Sequence, residues 1–357
     1  MHSGGIPINK QDHVKALSVR KGIRGVIEMK KETRAKLELF MKNIETIRKG
    51  ISMTSGEDRR MAALLYTLNG KKMDRGKIEE SYAVLKKGAG ALSSFRASTP
   101  LSVAAMISLR PDPKNAFDSA KDVYGKLRDI KFRSSEFLAN AAIQIAAGSE
   151  PKDHQVVVNR MRSFFDKMKS NNWLHTGADD YVFAALFALS GANEKAVTDS
   201  IGEFYQKLTP EFKPKGSVLA LAQVLAIGGQ NSLSVGRVVA LRDSLKEKKI
   251  RLDRSYSVPT LGILSSIPAD ARAVAQEIEE AAEFLRAQPG MGKLSASDTE
   301  IHLYAASAVA AVYANEMQSG MIAASLSTVM TNIVIAQTML MIIIIAASAG
   351  AIAAMSS

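Results

Sequence analysis

A short apolar segment recurs along this chain, and each copy stops at a glycine or a proline. The copy that stops at Gly191 reads FAALFALS. Comparable segments stop at Gly70, Pro111, Gly148, Gly228 and Pro268, and a weaker one stops at Ala314. Glycine favours the left-handed conformation that closes a helix, and proline cannot continue one. Because the stops are about 40 residues apart, the pattern indicates a helical repeat.

A longer amphipathic segment follows each stop and repeats with the same period. Its apolar landmarks are Leu85, Leu127, Met168, Leu208, Leu245 and Leu285. One further apolar residue is expected to fill the end of each hairpin: Phe95, Phe132, Trp173, Phe212, Leu252 and Leu294. A single hairpin cannot bury its apolar face, so such units stack. The predicted fold is all-α, an α-solenoid of about six to seven stacked helical hairpins with an apolar C-terminal helix.

Composition divides the chain into three segments. Residues 1–28 are basic and show no helical period, so we expect a disordered N-terminal extension. Residues 29–316 contain the repeats and are expected to form one elongated domain, whose first helix covers the first hairpin. Residues 317–357 contain no charged side chain and are expected to form an apolar helix.

The apolar tail allows two interpretations. Residues 321–355 are long enough to cross a lipid bilayer, because roughly 20 apolar residues span its hydrocarbon core. A C-terminal membrane anchor would leave the repeats in the cytoplasm, and the N-terminus lacks the apolar core of a secretion signal. Alternatively, a helix that is apolar all round is buried against a second copy of the chain in a homo-oligomer. We favour the membrane anchor.

The net charge of +12 raises the question of an anionic partner. Acidic residues begin the longer segments and basic residues end them, as Glu79 and Lys86 illustrate, and helix dipoles favour this order. We therefore interpret the charges as a solvated outer face. The alternative is a basic ridge that meets nucleic acid or anionic lipid. No exposed aromatic series accompanies the lysines, so a nucleic-acid partner is disfavoured, whereas anionic lipid stays open. The absence of cysteine excludes disulfides and thiolate metal sites and fits a reducing compartment.

The most polar turn lies just before the FAALFALS segment and is the candidate binding site. Its candidate residues are Asn171, Asn172, Trp173, His175, Asp179 and Asp180. A structural interpretation competes, in which Trp173 fills the hairpin end and Asp179 caps the next helix. A carboxylate here is also the kind of group that acts as a general base, so an enzyme centred on residues 171–180 is a minority hypothesis. Carboxylates that converge in a closed pocket would favour it.

No other pattern carries recognisable chemistry. The histidines are scattered and no two share a helix face, so we expect no metal site and no cofactor. Residues 290–293 lack the spacing and the hydroxyl residue of a phosphate-binding loop and are read as a turn. The first hypothesis is therefore a non-catalytic interaction or scaffold protein with a protein partner, held at a membrane by its tail. The second is a soluble self-assembling protein.

The segment WLHTGADDYVFAAL that begins at Trp173, together with the uncharged, alanine-rich C-terminus, supports a resemblance. In both features the chain resembles an uncharacterised bacterial family known only as a domain of unknown function. The resemblance extends from about Met29 onward, and it implies no activity, cofactor or catalytic residue. The family's tails are richer in alanine and glutamine, whereas residues 339–347 of this chain are wholly apolar.

Overall fold

The computed structural model describes residues 29–49, 54–90, 93–97, 99–171, 176–213, 215–228, 233–254 and 257–318. These residues contain fourteen α-helices and no β-strand, which confirms the all-α prediction. The helices are α1 Lys31–Arg48, α2 Gly56–Leu68, α3 Arg75–Gly88, α4 Pro100–Ser108, α5 Pro113–Asp129, α6 Glu136–Gly148, α7 His154–Ser170, α8 Tyr181–Leu189, α9 Glu194–Leu208, α10 Lys215–Ile227, α11 Ser234–Glu247, α12 Val258–Ser265, α13 Ala271–Arg286 and α14 Asp298–Gln318. Two 3₁₀ turns, Pro151–Asp153 and Ala178–Asp180, precede α7 and α8.

The helices pair into seven hairpins, from α1 with α2 to α13 with α14. The first helix of each pair buries the apolar side chains of one face. In α5 these are Phe117, Ala120, Val123 and Leu127. The second helix is buried nearly all round, and in α8 every residue from Tyr181 to Ala188 is buried. A helix that is apolar on every side must be covered on every side. The even-numbered helices therefore form an inner layer and the odd-numbered helices an outer one.

Neighbouring inner helices run parallel. The Asp58 carboxylate near the start of α2 accepts hydrogen bonds from the backbone N–H groups of Leu101 and Ser102 at the start of α4, at 2.8 and 2.9 Å. At the other ends of the same two helices, the Tyr66 and Ser108 hydroxyls lie 2.6 Å apart. The N-termini of the inner helices consequently lie on one face of the molecule.

The first and last hairpins contact each other. Helix α1 packs against α13 and α14, and α2 packs against α14. The Thr33 hydroxyl donates to Glu277 Oε1 at 2.5 Å, and the Phe40 and Tyr304 rings lie 5.3 Å apart between centroids. We expected an elongated body with free ends. Instead the row of hairpins closes into a ring, because the apolar face of α1 covers α14, which has no later hairpin against it in the described part of the chain.

Most landmarks of the repeat lie where the sequence predicts them, but the last hairpin differs. Leu294 was expected to fill its end, yet this side chain is fully exposed, at 106%. Met291, 1% exposed, occupies the buried position instead. The turn at Gly290, with φ of +79°, brings the chain inward earlier than the spacing from Leu285 suggested. The prediction for Leu294 was therefore wrong: the apolar residue that fills this hairpin end is Met291, three positions earlier.

The two ends of the chain lie outside the described residues. The expectations for residues 1–28 and for the tail at 321–355 therefore stay predictions. Within the ranges given above, no helix is both long enough and apolar enough to cross a membrane.

Candidate functional site

The predicted turn at 171–180 is described in part. Three of its candidate residues, Asn172, Trp173 and His175, lie outside the described residues. Asn171 is exposed at the end of α7. The two carboxylates differ, because Asp179 is exposed whereas Asp180 is buried.

Asp180 is a buried carboxylate at the start of α8. Its Oδ2 atom accepts a hydrogen bond from the Gly177 backbone N–H at 2.7 Å, and its Oδ1 atom accepts one from Gln223 Nε2 of α10 at 2.6 Å. Burial, and then the charge of Asp179, raise the pKa of Asp180 to about 7. The sequence indicated Asp179 as the cap of this helix. In the structure Asp180 makes the hydrogen bond to the turn.

Asp58 and Glu300 are buried at the starts of two other inner helices, α2 and α14. Asp58 accepts three hydrogen bonds from α4: the two backbone bonds given above and one from the Ser102 hydroxyl at 2.5 Å. Burial raises the pKa of Asp58 to about 6 in spite of these bonds. Carboxylates near helix N-termini interact favourably with the helix dipole. These groups therefore join neighbouring inner helices.

Glu300 forms a buried ion pair with Arg60 across the ring closure. Glu300 Oε1 lies 2.7 Å from Arg60 Nη2, and both side chains are 8% exposed. The Tyr304 hydroxyl donates to the same oxygen at 3.2 Å, and the Ser297 backbone N–H donates to Oε2 at 2.9 Å. Burial acts to raise the pKa of Glu300, but the charge and hydrogen bond of Arg60 outweigh it and hold that pKa below its ordinary value.

A groove of about 750 Å³ opens beside this ion pair, where the first hairpin meets the last. We call it the seam groove. Helix α1 supplies one wall, the start of α2 another, and the end of α13 with the turn after it the third. Its lining includes three apolar side chains and four cations: Met41, Ile44, Phe284, Lys42, Arg48, Arg59 and Arg60.

The seam groove has a partly apolar surface with positive charge around it. Met41, Ile44 and Phe284 are half-buried. The acids on the α1 wall are engaged elsewhere, since Glu38 pairs with Arg34 at 3.3 Å and Glu45 pairs with Lys49 at 2.7 Å.

Arg60 is paired with Glu300, but three other cations of the groove have no such engagement. Lys42, Arg48 and Arg59 form no ion pair with any residue that the structure describes. The groove consequently carries unneutralised positive charge next to apolar side chains.

Arg60 lines the groove with one hydrogen-bond donor unused. Its Nη2 donates to Glu300, but its Nε is buried and has no acceptor among the described residues. A buried donor without an acceptor costs about 1–3 kcal/mol. Gly56, at the start of α2, leaves room for this guanidinium, because an added Cβ would lie 3.0 Å from Arg60 Nη1.

No local pattern in the sequence marks the seam groove, because its walls come from both ends of the repeat body. The one signal in the sequence is the pair Arg59 and Arg60, which stands directly before an apolar inner segment.

His302 lies outside this groove. It is half-buried on α14, where burial lowers its pKa. In the part of the chain that the structure describes, no three His, Asp or Glu side chains are grouped as metal ligands.

Together these features define an all-helical repeat protein with a groove where its two ends meet. Residues 43–339 match the family model described as "Protein of unknown function (DUF4003)", and the chain belongs to this family. The resemblance inferred from the sequence is thereby confirmed. No curated protein matches the chain, and no solved structure does.

Proposed function

We propose that this protein is a non-catalytic binding protein, in which a helical-repeat scaffold of the α-solenoid type holds a bound molecule in the seam groove. The observation that carries the proposal is the unneutralised positive charge beside apolar side chains in a groove between packed helices. Sites between helices of a bundle are frequent binding places. The buried carboxylates Asp58, Asp180 and Glu300 are occupied in joining helices, which supports a binding role over a catalytic one.

Filling the groove tests this function. We expect Ile44→Trp to lower the amount of bound molecule that purifies with the protein at least about tenfold, because the indole would occupy the groove. Native mass spectrometry of the full chain, followed by release and identification of the bound molecule, measures this. The matched control is Val156→Trp, at a position that is 60% exposed on α7. The control is expected to retain the molecule.

The same experiment has two further readouts: the mass of the released molecule, and the occupancy of the wild type compared with that of Ile44→Trp. The released molecule should keep its mass after prolonged incubation with the protein. Conversion to a product would make the protein an enzyme and contradict the proposal. Equal occupancy of the wild type and of Ile44→Trp, or a wild type that carries nothing, would also contradict it.

We further propose that the tail at 321–355 tethers this scaffold to the cytoplasmic face of a membrane. The support is sequence alone: no charged residue follows Glu316, and residues 339–347 are wholly apolar. Deletion of residues 321–357 is expected to move the protein from the membrane fraction to the soluble fraction. The self-assembly alternative predicts instead a soluble oligomer that dissociates on the same deletion without detergent. Intact protein that sediments as a soluble monomer would contradict both.

A further inference from the structure

We infer that the molecule bound in the seam groove is a single-chain fatty carboxylate, with its carboxylate at the Arg59–Arg60 end of the groove. This inference rests on the proposed function and gives its ligand a chemical class. Two properties of the groove carry it: an arginine pair of which Arg59 has no acidic partner among the described residues, and an apolar wall formed by α1 and α13.

The arginine pair is suited to a carboxylate. Arg59 is half-buried in the groove wall and has no acidic partner among the described residues, whereas the neighbouring Arg60 is paired with Glu300. Guanidinium groups bind carboxylates through paired hydrogen bonds, which makes arginine favourable for planar anions. The pair also lies in the first turns of α2, where the helix dipole favours negative charge.

The rest of the groove is suited to an alkyl chain. Met41 and Ile44 lie three residues apart on α1 and so share a helix face, and Phe284 on α13 lines the same groove. Methionine adapts its shape to flexible apolar ligands. A small polyanion would leave these side chains uncovered, whereas an apolar molecule without a charge would leave Arg59 unpaired.

The size of the groove favours a small molecule over a protein segment. Its volume of about 750 Å³ is within the range of roughly 300–1,000 Å³ that holds small ligands. A helix from a protein partner needs a groove that is open over several turns. Here the turn formed by Pro289, Gly290 and Ser295 bounds the groove beside α13.

Calorimetric titration of the full chain tests the inference with three probes. Dodecanoate supplies the chain and the carboxylate, dodecanol supplies the chain alone, and acetate supplies the carboxylate alone. We expect dodecanoate to bind one molecule per chain, at least about tenfold more tightly than dodecanol, with no measurable binding of acetate. A preference for acetate, or equal affinities for dodecanoate and dodecanol, would overturn the inference.

Variants identify the two ends of the ligand. Arg59→Gln should weaken dodecanoate binding at least about tenfold and leave dodecanol binding unchanged, because it removes a charge that has no structural partner. The matched control is Arg272→Gln, an exposed arginine at the start of α13, which should bind as the wild type does. Ile44→Asp should abolish binding of both probes. Thermal unfolding of each variant separates lost binding from lost folding.

The outcomes distinguish this inference from the proposed function. If none of the three probes binds but a co-purified molecule is displaced by Ile44→Trp, the protein binds something else and only the inference fails. An acidic helical peptide that binds in place of dodecanoate would have the same meaning. If Ile44→Trp displaces nothing and no probe binds, the proposed function fails as well. Dodecanoate binding that Arg59→Gln and Ile44→Asp leave unchanged would place the ligand elsewhere and overturn the inference.

Discussion

Replacement of Glu300 by alanine is expected to lower the free energy of unfolding by about 3–5 kcal/mol, because Arg60 would stay buried without its counter-ion. The variant also loses the acceptor for the Tyr304 hydroxyl and the reciprocal bond to the Ser297 backbone. Urea unfolding at pH 7, followed by circular dichroism, measures the difference. We expect this large loss of stability because the Arg60–Glu300 ion pair joins the first hairpin to the last.

Two variants control this result. Glu79→Ala removes an exposed ion pair with Arg75 within one helix, and its cost should stay near 0.5 kcal/mol or below. The double variant Arg60→Met with Glu300→Leu should recover most of the lost stability, because apolar residues of similar size replace buried pairs well. If Glu300→Ala costs no more than Glu79→Ala, the ion pair does not hold the ring closed.

Asp180→Asn is expected to raise stability at pH 8 by roughly 4 kcal/mol and to change it little near pH 4. The pKa of Asp180 is raised from 3.8 to about 7. Its contribution to stability is therefore fully present below pH 3.8 and is lost as the pH rises through about 7. Asparagine stays neutral throughout. It also keeps an acceptor for Gly177, and its amide nitrogen can donate to Oε1 of Gln223 once the Gln223 amide has turned over.

The measurement is the difference in unfolding free energy between wild type and variant at several pH values from 4 to 8. The comparison variant is Asp179→Asn, which removes a like charge and should lower the pKa of Asp180, so that the loss of stability with rising pH is smaller than in the wild type and ends at a lower pH. A difference between Asp180→Asn and wild type that does not change with pH would contradict the assignment of the buried charge.

The helices and their ends were predictable because their signals are local. The stop at Gly148 coincides with the end of α6. Ser297 and Glu300 have the three-residue spacing of a capping box and form one, with bonds of 2.9 and 3.2 Å. Landmarks such as Leu127 and Leu208 are fully buried. Period and capping chemistry depend only on residues a few positions apart, so the sequence alone contains them.

The closure of the ring and the groove beside it were not predictable in this way. Thr33 and Glu277 meet although 244 positions separate them, and no periodicity marks such a contact. The spacing from Ser297 identifies Glu300 as part of a capping box, but its pairing with Arg60 depends on the curvature of the whole row. The sequence indicated Asp179 as the cap but not which of the two carboxylates is buried, because the direction of the chain at the 3₁₀ turn decides that Asp180 is.

Closure also restricts how the number of units can evolve. In an open row, duplication or loss of a hairpin changes only the length, since each unit touches its neighbours alone. In this ring the seven hairpins together complete one circuit. An eighth would change the angle between all neighbours and separate Arg60 from Glu300. Copy number should therefore be fixed in this architecture, and variation in length should be confined to the turns between helices.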